Sequence, residues 1–529
     1  MHDLALQFKG NALAELFLRF PCPQKILMVT DGGLDFGSGG FGLSEFVGLI
    51  KAAGHSVATA HRSGAGPNLS IAGNFDFAAA ATAVTVANYD QVWMFGIATG
   101  ASPITPAEQS TLAQFMKKGG GVFATGDHET LGAGMGANLP RVRGMRNWAS
   151  IPMVDPERHD TVIDPGADNV KQFNDQADAT PQRLYPMFFS NGGPSNVAAT
   201  WAPHPVLRHP SGAVDALPDH PHESECLEPV PFAGNFAGVE EWPAPVGGGA
   251  RIRASVAAVS ISAGRFITDT LKPPVRPHSF GAISTYDGDA ALVGRIVCDA
   301  TWHHFVNINL NGSGAGLDPS TGLPRSGLYV GGVATAEYAK IKSYYLNTVR
   351  WLAPRGRRNC WPFLQVALAR VDFEMRELRL PEPHPCPWDP LLRIGGLAEQ
   401  ILTRHWGPGA AAEIVDGLVN SDAATPTLGR VLKAQQFNDS DDGDKPAEPS
   451  LLPLQDMRRA VLGSLVNLIA IKLPTDEARL AALLKDGHDK LAKELSAEAI
   501  SAAEATLGDH LQRALKQTSA LAKAIAARK

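Results

Sequence analysis

The sequence predicts an α/β protein with a doubly wound parallel sheet, long loop insertions and a C-terminal α-helical region. Three observations carry this prediction. Residues 24–30 (QKILMVT) form a largely apolar run, the pattern of a strand that is buried on both faces of a parallel sheet. Strand and helix patterns then alternate up to residue 125. From residue 451 onward the chain is dominated by Ala, Leu, Lys and Glu, which is typical of amphipathic helices.

The elements that follow the first strand are predicted in order from local signals. The expected ones are a helix at 43–53, strands at 55–60, 89–96 and 122–125, and a helix at 105–118 that opens with Thr-Pro-Ala-Glu, a capped start with proline in its first turn. Further along, 290–300 (AALVGRIVCDA) predicts another buried strand. Residues 335–352 predict a helix with Thr335 as N-cap.

The length of 529 residues exceeds one ordinary core and predicts several domains. We expect an N-terminal helix at 1–22, an α/β domain at 23–354 with a loop-rich insertion at 141–280, a linker and partly helical region at 355–450, and a helical region at 451–529. Within the insertion and at its edge, only short strands such as 264–268 and 282–285 are expected. The basic RGRR at 355–358 is interpreted as solvated linker. The last region is a candidate for homo-oligomer assembly.

Composition and net charge restrict the classes of partner that we expect for the protein. A net charge of −6 and a pI near 6.2 argue against broad binding of nucleic acid or of an anionic membrane. No apolar run reaches the ~20 residues needed to span a bilayer, and the N-terminus lacks the pattern of a signal peptide. Five widely spaced cysteines without a CxxC pair predict neither disulfides nor a zinc knuckle, and favour a reducing cytoplasm.

Three ionisable side chains follow the strand at 122–125 and Gly126: Asp127, His128 and Glu129. Ligands of open α/β sheets bind at the carboxyl ends of strands. Ionisable groups in such a turn are costly unless they meet a substrate, a metal or one another. The purely structural alternative is that Asp127 or Glu129 caps the next helix while His128 stays neutral.

A second cluster follows the strand at 290–300, and in a doubly wound sheet two such strand ends can meet in one crevice. We therefore expect His128 to act as general base or metal ligand, with Asp127, Glu129 and His303 as its catalytic partners. A divalent metal ion is the candidate cofactor, and its candidate ligands are His128, His303, His304 and Asp299.

Substrate contacts are expected from a basic segment shortly after the acidic turn. Guanidinium groups of Arg141, Arg143 and Arg146 can clamp a carboxylate or phosphate. Equally, they can neutralise the acidic side chains of the turn. Asp31, at the end of the first strand, and Trp302 are further candidates for substrate binding.

Other clusters give weaker signals. The glycine-rich residues 31–42 fit neither a P-loop nor a G-x-G-x-x-G motif, so we interpret them as a flexible loop. The histidines and acids of 204–210 and 217–225 match no established zinc spacing and favour a solvated loop. Residues 157–161 and 173–178 add polar side chains in loop context only.

Taken together, the segments KILMVT, KKGGGVFATGDHE, HPVL and GRIVCDATWHH resemble the ThuA-like branch of the class I glutamine amidotransferase-like superfamily. The resemblance covers roughly 23–354 in pieces and implies a flavodoxin-like three-layer fold. The matching positions are Gly126, Asp127 and His128 at the elbow, His204 and Pro205, and Gly294, Arg295 and His303 or His304.

The departures from that family bear on function. His128 stands where a glutamine amidotransferase carries its nucleophilic cysteine, so glutaminase chemistry through a thiolate is not expected. The family's Asp-Glu pair has only a loose counterpart at 219–223. The first hypothesis is a hydrolase of a small polar or anionic substrate, with carbohydrate derivatives as one class. The alternative is a non-catalytic ligand-binding or scaffold protein that assembles through its C-terminal helices.

Overall fold

The structure, a computed structural model, describes most of the chain. The described residues are 11–19, 22–98, 103–127, 130–148, 170–171, 181–190, 201–218, 224–262, 265–266, 278–314, 326–358, 360–378, 386–420, 454–474 and 476–526.

Within these residues, eight strands form the central sheet, in the order β2-β1-β3-β4-β8-β7-β6-β5. Their bounds are β1 (Lys25–Thr30), β2 (Ser56–His61), β3 (Gln91–Phe95), β4 (Gly121–Thr125), β5 (Tyr185–Pro186), β6 (Ser255–Ser262), β7 (His278–Tyr286) and β8 (Ile296–Asp299). The first five strands in this order pair in parallel and follow the flavodoxin-like pattern. The remaining three pair antiparallel with their neighbours. The predicted fold class is confirmed.

The described helices flank the sheet and form the C-terminal part of the chain. They are α1 (Ala12–Arg19), α2 (Ser44–Ala52), α3 (Pro106–Lys117), α4 (Ala133–Gly136), α5 (Val142–Met145), α6 (Asn307–Leu310), α7 (Ala336–Trp351), α8 (Cys360–Val371), α9 (Phe373–Glu377), α10 (Trp388–Trp406), α11 (Ala410–Asn420), α12 (Leu454–Lys472) and α13 (Glu477–Ala526). Short 3-10 turns occupy Pro205–Leu207, Asp289–Ala291, His303–Phe305 and Arg355–Arg357.

Both faces of the parallel sheet are covered, which explains the continuous apolar run of β1. Ile26 and Met28 belong to the core that the sheet shares with α2 and α7. Leu27 and Val29 belong to the core on the other face, which contains α3. Alternate residues of one strand therefore bury into two separate layers.

The predicted helix starts are present. The Thr105 hydroxyl accepts a hydrogen bond from the Glu108 N–H at 3.3 Å, and the Glu108 carboxylate accepts one from the Thr105 N–H at 2.8 Å. This reciprocal pair is a capping box. Thr335 caps α7 by accepting from the Tyr338 N–H at 3.3 Å.

The antiparallel half of the sheet lies largely where the sequence predicted loops. β6 (SVAAVSIS) and β7 form a long pair with a bulge near Ala258, and the short strand expected at 282–285 is part of β7. Two-stranded pairs surround this half: Val170–Lys171 with Arg265–Phe266, Pro181–Arg183 with Ala216–Pro218, Phe188–Ser190 with Trp201–Pro203, Arg208–His209 with Gly212–Ala213, Asn235–Phe236 with Val239–Glu240, and Tyr329–Val330 with Val333–Ala334.

The C-terminal helices share one core, and α1 belongs to it. Ala14 and Phe17 of α1 are buried among residues of α8 and α13, and the Asn11 side chain donates to the Val371 carbonyl at 2.8 Å. Within 355–450, predicted as a linker and partly helical region, α8, α10 and α11 are packed helices of this core. Residues 421–450, including the acidic stretch, lie outside the described residues.

The expectation that the cysteines form no disulfide is wrong. Cys22, just before β1, is bonded to Cys360 at the start of α8, with their Cα atoms 5.8 Å apart. The two cysteines are 338 positions apart, so no local spacing signals the pair. Cys226, Cys298 and Cys386 are free and buried. With a disulfide present, cysteine usage no longer favours a reducing compartment.

Within the described ranges, no helix has both the length and the apolar character that crossing a bilayer requires.

Candidate active site

The candidate site lies where β4 and β8 end. These strands are parallel neighbours, with Thr125 opposite Asp299. Gly126 then turns the chain sharply: a Cβ atom at this position would lie 2.3 Å from the Leu131 carbonyl oxygen. The Asp127 N–H donates to that same carbonyl at 3.1 Å. The elbow therefore requires glycine and holds Asp127 at the carboxyl edge of the sheet.

Asp127 and His303 form an acid–imidazole pair across the two strand ends. Their Oδ2 and Nε2 atoms are 2.9 Å apart. The other carboxylate oxygen of Asp127 accepts from the Thr301 hydroxyl at 3.1 Å. The Asp127 side chain is 3% exposed, whereas that of His303 is 18% exposed. A buried acid thus orients an imidazole that solvent can reach.

A second acid–imidazole pair lies beneath the first. His304 Nε2 is 2.8 Å from Asp299 Oδ2, and the Tyr344 hydroxyl of α7 donates to that oxygen at 2.6 Å. The Thr301 N–H donates to Asp299 Oδ1 at 3.3 Å. Both side chains of this pair are 1% exposed. Thr301 contacts both acids and so couples the reachable pair to the buried one.

The loop that carries these histidines is anchored on both sides. The Phe305 ring packs in the sheet core with its centroid 5.2 Å from that of Phe95 and 5.1 Å from that of Phe46. The Asn309 side chain donates to the His303 carbonyl at 2.8 Å, and the Tyr345 hydroxyl donates to the His304 carbonyl. These contacts fix the backbone of the turn that carries the two imidazoles.

Arg146, a predicted substrate contact, is instead a buried link beneath the site. Its Nη2 donates to the carbonyls of Asp127 at 2.7 Å and Ala300 at 2.8 Å, and its Nη1 donates to the Asn147 carbonyl at 2.9 Å. Burial lowers the pKa of its guanidinium. Arg146 therefore ties the end of β4 to the end of β8 rather than presenting a cation to solvent.

Arg141 and Arg143 are also bound to the protein. Arg143 forms a bidentate ion pair with Glu241, with both nitrogen–oxygen distances 2.8 Å. Arg141 is buried, and its N–H and guanidinium donate to the side chain and carbonyl of the same glutamate. In this arrangement both guanidinium groups are directed at Glu241, Arg143 at its carboxylate and Arg141 at its carbonyl.

Asp31 has a structural role at the end of β1. Its Oδ1 accepts from the N–H groups of Ile97 at 2.6 Å and Ala98 at 2.8 Å, just beyond β3. Burial raises the pKa of this carboxyl, while the two N–H donors act in the opposite direction. Asp31 joins two strand ends and is 5% exposed.

The glycine-rich segment after β1 is held by Asn307, contrary to the expected flexible loop. The Asn307 side chain donates to the carbonyls of Gly37 and Gly39, each at 2.9 Å. At Gly42 a Cβ atom would lie 2.0 Å from the Gly37 carbonyl oxygen. The segment therefore needs glycine for close packing, and it forms one wall beside the site.

Trp302 lies next to the candidate base. Its ring centroid is 4.4 Å from that of His303 and 5.6 Å from that of Phe41. Trp302 is 3% exposed and Phe41 is 49% exposed. The aromatic surface beside His303 is therefore presented to solvent by Phe41, a residue that the sequence did not single out.

The remaining predicted residues either lie outside the described part of the chain or lie away from the candidate site. His128 and Glu129 lie outside the described residues, as do 157–161, 173–178 and 219–223. His204 caps the turn at Pro205–Leu207 by accepting from the Val206 N–H at 3.3 Å. Its ring packs on Trp351 at 4.9 Å, near Arg295, which precedes β8 and donates to the Trp351 carbonyl. His204 thus lies at the edge of the sheet opposite His303.

Among the described residues, no group of three or more His, Cys, Asp or Glu side chains is arranged so that it could hold a metal ion. The predicted ligand His128 is not among these residues. His303 and His304 each direct Nε2 at an aspartate. That contact is the one by which a carboxylate commonly orients an imidazole, whether the ring serves as base or as ligand.

Two residues of the site have weak sequence signals. Thr301 lies between the predicted candidates Asp299 and Trp302, and its sequence context is typical of an ordinary turn residue. Tyr344 lies beside the apolar stripe of α7, and only a hydroxyl adjacent to that stripe marks it as a partner for a buried acid.

No family model, curated protein or solved structure matches the chain. Function is therefore inferred from the geometry of the site. That geometry provides an imidazole that a buried carboxylate orients at the carboxyl edge of an α/β sheet, an arrangement found around general bases and around metal ligands.

Proposed function

We propose that this protein is a hydrolase of a small polar substrate in which His303 is the general base. The observation that carries the proposal is the 2.9 Å contact between Asp127 Oδ2 and His303 Nε2, with the acid buried and the imidazole reachable from solvent. The contact lies at the carboxyl ends of parallel strands, where open α/β sheets bind their ligands.

The proposed reaction uses water as the nucleophile. The His303 imidazole, which Asp127 orients through Nε2, takes a proton from water. The water oxygen forms a bond to an electrophilic carbon of the substrate, the bond from that carbon to the leaving group breaks, and the proton passes from His303 to the leaving group. Asp127 remains ionised and stabilises the imidazolium in between.

A thiolate nucleophile fits this chain poorly. Cys298 lies in β8, and the Cys226 thiol donates to the Cys298 carbonyl. Burial raises the pKa of both thiols above the ordinary value. A thiol that stays protonated is a weak nucleophile. The flavodoxin-like strand order agrees with what the ThuA-like resemblance implies, and we include that relationship in the proposal without glutaminase chemistry.

The substrate we favour is uncharged and polar, with carbohydrate derivatives as the class to test first. The arginines expected to hold an anion are occupied by Glu241 and by main-chain carbonyls. Phe41 provides an exposed aromatic surface against Trp302, which packs on the base, and such surfaces pack against apolar faces of ring-shaped ligands.

The test is hydrolysis of a panel of acylated and glycosidic sugar derivatives by the full chain. We expect His303→Gln to lower kcat/KM by about 10³-fold while the melting temperature is unchanged. His209→Gln, at a histidine in a remote hairpin, is the control and should retain activity. Hydrolysis of the same substrate at equal rates by His303→Gln and wild type would contradict the proposal. Repeating the assay after chelation separates a metal-dependent reaction from one that needs only the imidazole.

One observation favours a scaffold as the second candidate. Beyond residue 510, α13 is largely exposed, and its apolar side chains Leu515, Leu521 and Ile525 are 68%, 62% and 55% exposed. Such a surface can pair with another helix. A chain truncated after Leu507 keeps the helical core, so its molar mass by light scattering tests this role. If the truncated and full-length proteins contain the same number of chains per particle, α13 does not drive assembly.

A further inference from the structure

A small, partly open cavity lies at the edge of the sheet opposite His303, between the sheet and the helical core. Gln24 and His55, which precede β1 and β2, line the cavity. The lining also includes Arg350, Arg357, Arg358 and Trp361, and Cys22 of the disulfide. Its volume is about 20 Å³, so a small anion can occupy it with part of the anion exposed to solvent.

Two of the three guanidinium groups at this cavity have acidic partners. Arg357 Nη1 is 3.2 Å from Asp90 Oδ2, and Arg358 forms an ion pair with Asp289. Arg358 is 14% exposed and Arg357 38% exposed. The RGRR segment is therefore part of a packed junction, which corrects its interpretation as solvated linker.

Arg350 has no carboxylate at ion-pair distance among the described residues. Its guanidinium lies over the Trp361 ring, 3.6 Å from the centroid, and one nitrogen is 3.4 Å from Asn347 Oδ1. Glu413 is the acid that acts on it electrostatically, but that carboxylate is paired with Arg208. One positive charge beside the cavity is thus left without a counter-charge.

The other groups that face the cavity do not supply negative charge. Burial lowers the pKa of Arg350 to about 9, which still leaves it charged at neutral pH. Burial, reinforced by Arg350, lowers the pKa of His55 to about 3, so His55 is neutral there. His55 Nδ1 accepts from the Gln24 N–H at 3.2 Å, which leaves the proton of the neutral ring on Nε2.

We propose that this cavity binds one small inorganic anion, with Arg350 as its principal contact. Arg350 is partly buried and has no carboxylate partner among the described residues, so an anion in the adjacent cavity supplies the missing counter-charge. Guanidinium groups bind oxyanions and halides through charge-assisted hydrogen bonds. Because Gln24 and His55 immediately precede strands of the sheet and Trp361 belongs to α8, the anion stabilises the junction of sheet and helical core. This site is independent of the proposed hydrolase.

The experiment is calorimetric titration of the full chain with sodium chloride, sodium sulfate and sodium phosphate, each at ionic strength held constant with sodium gluconate, whose anion is too large for the cavity. We expect saturable binding of one anion per chain. Preference for chloride indicates a halide site, and preference for sulfate or phosphate indicates an oxyanion site. Each result supports the proposal, because the two anion classes share the guanidinium contact.

Arg350→Gln should weaken binding by about tenfold or more, because one charge-assisted contact is lost. Arg183→Gln removes the same charge from an exposed pair with Asp215 and should bind like wild type. If Arg350→Gln does not fold, Arg357→Gln at the more exposed lining residue provides the second variant, with weakened binding again expected. Absence of saturable binding to wild type, or equal affinity in the lining variants, overturns the proposal.

Discussion

The carboxylate of Asp127 and the imidazole of His303 are 176 positions apart in the sequence and 2.9 Å apart in the structure. The contact follows from the pairing of β4 with β8, which sets Thr125 beside Asp299. Each strand then delivers its next few residues to the same edge of the sheet. A parallel pair of strands with distant positions in the chain thus builds one site from two separate turns.

The orienting role of Asp127 can be tested without removing the base. We expect Asp127→Asn to lower kcat by about 10³- to 10⁴-fold, because an amide can hold the ring in the wrong tautomer and cannot stabilise the imidazolium. The limb of the pH–rate profile that reports ionisation of the imidazole should move to lower pH, because the carboxylate that stabilises the imidazolium is gone. Steady-state kinetics over a pH series measure both effects, and a profile identical to that of wild type would contradict the assignment.

Arg146 should be important for stability. Arg146→Met leaves the carbonyls of Asp127, Ala300 and Asn147 without their donor, so we expect the free energy of unfolding to fall by about 3 kcal/mol. Arg183→Met, at an exposed pair with Asp215, should change it by less than about 0.5 kcal/mol. Urea unfolding of both variants measures the difference. Equal effects would show that Arg146 does not link the strand ends.

His204 makes stability depend on pH. Burial lowers its folded-state pKa to about 3, below the ordinary 6.5, so between these pH values the unfolded chain binds a proton that the folded chain does not. Stability is therefore lost as the pH falls from 6.5. His204→Asn keeps an acceptor for the Val206 N–H and should remove about 1 kcal/mol of this loss between pH 6.5 and 5.5. The measurement is the free energy of unfolding in urea at several pH values. If it changes with pH equally in variant and wild type, His204 makes no such contribution.

The disulfide should contribute to stability and can be mapped directly. Peptide mass spectrometry of non-reduced protein should find Cys22 joined to Cys360, with the other three cysteines as thiols. Reduction should lower the free energy of unfolding by about 3 kcal/mol, because the bond restricts the unfolded chain. The double variant Cys22→Ser, Cys360→Ser should match the reduced protein and should not respond to reductant. Five free thiols in protein purified under oxidising conditions would contradict the bond.

Strong local patterns made the parallel half of the fold predictable. The apolar run of β1 and the capping box at Thr105 are properties of a few adjacent residues, and both appear within one or two positions of their predicted bounds. β6 was missed because its alternating small and apolar residues lie among proline- and glycine-rich segments that resemble loops. Its stability comes from pairing with β7, which no local window contains.

The candidate site was predictable in its location but not in the partners of its side chains. Asp127 and His303 could be assigned to strand ends from their position after apolar runs. The partner of Arg143, Glu241, lies 98 positions away, and that of Cys22 lies 338 away. Such pairs depend on the tertiary fold, which local sequence patterns do not contain. For this reason the sequence did not indicate that the arginines predicted to bind a substrate are paired within the protein.

The packing of α1 against α8 and α13 has a consequence for the order of events during synthesis. Ala14 and Phe17 are translated before the sheet, but the helices that cover them begin only at Cys360. At ordinary elongation speeds, roughly 20–70 s pass before that partner leaves the ribosome. Throughout this interval the sheet can fold while the apolar side of α1 has no partner and is open to chaperones. The helical core is therefore the last part of the nascent chain to be completed.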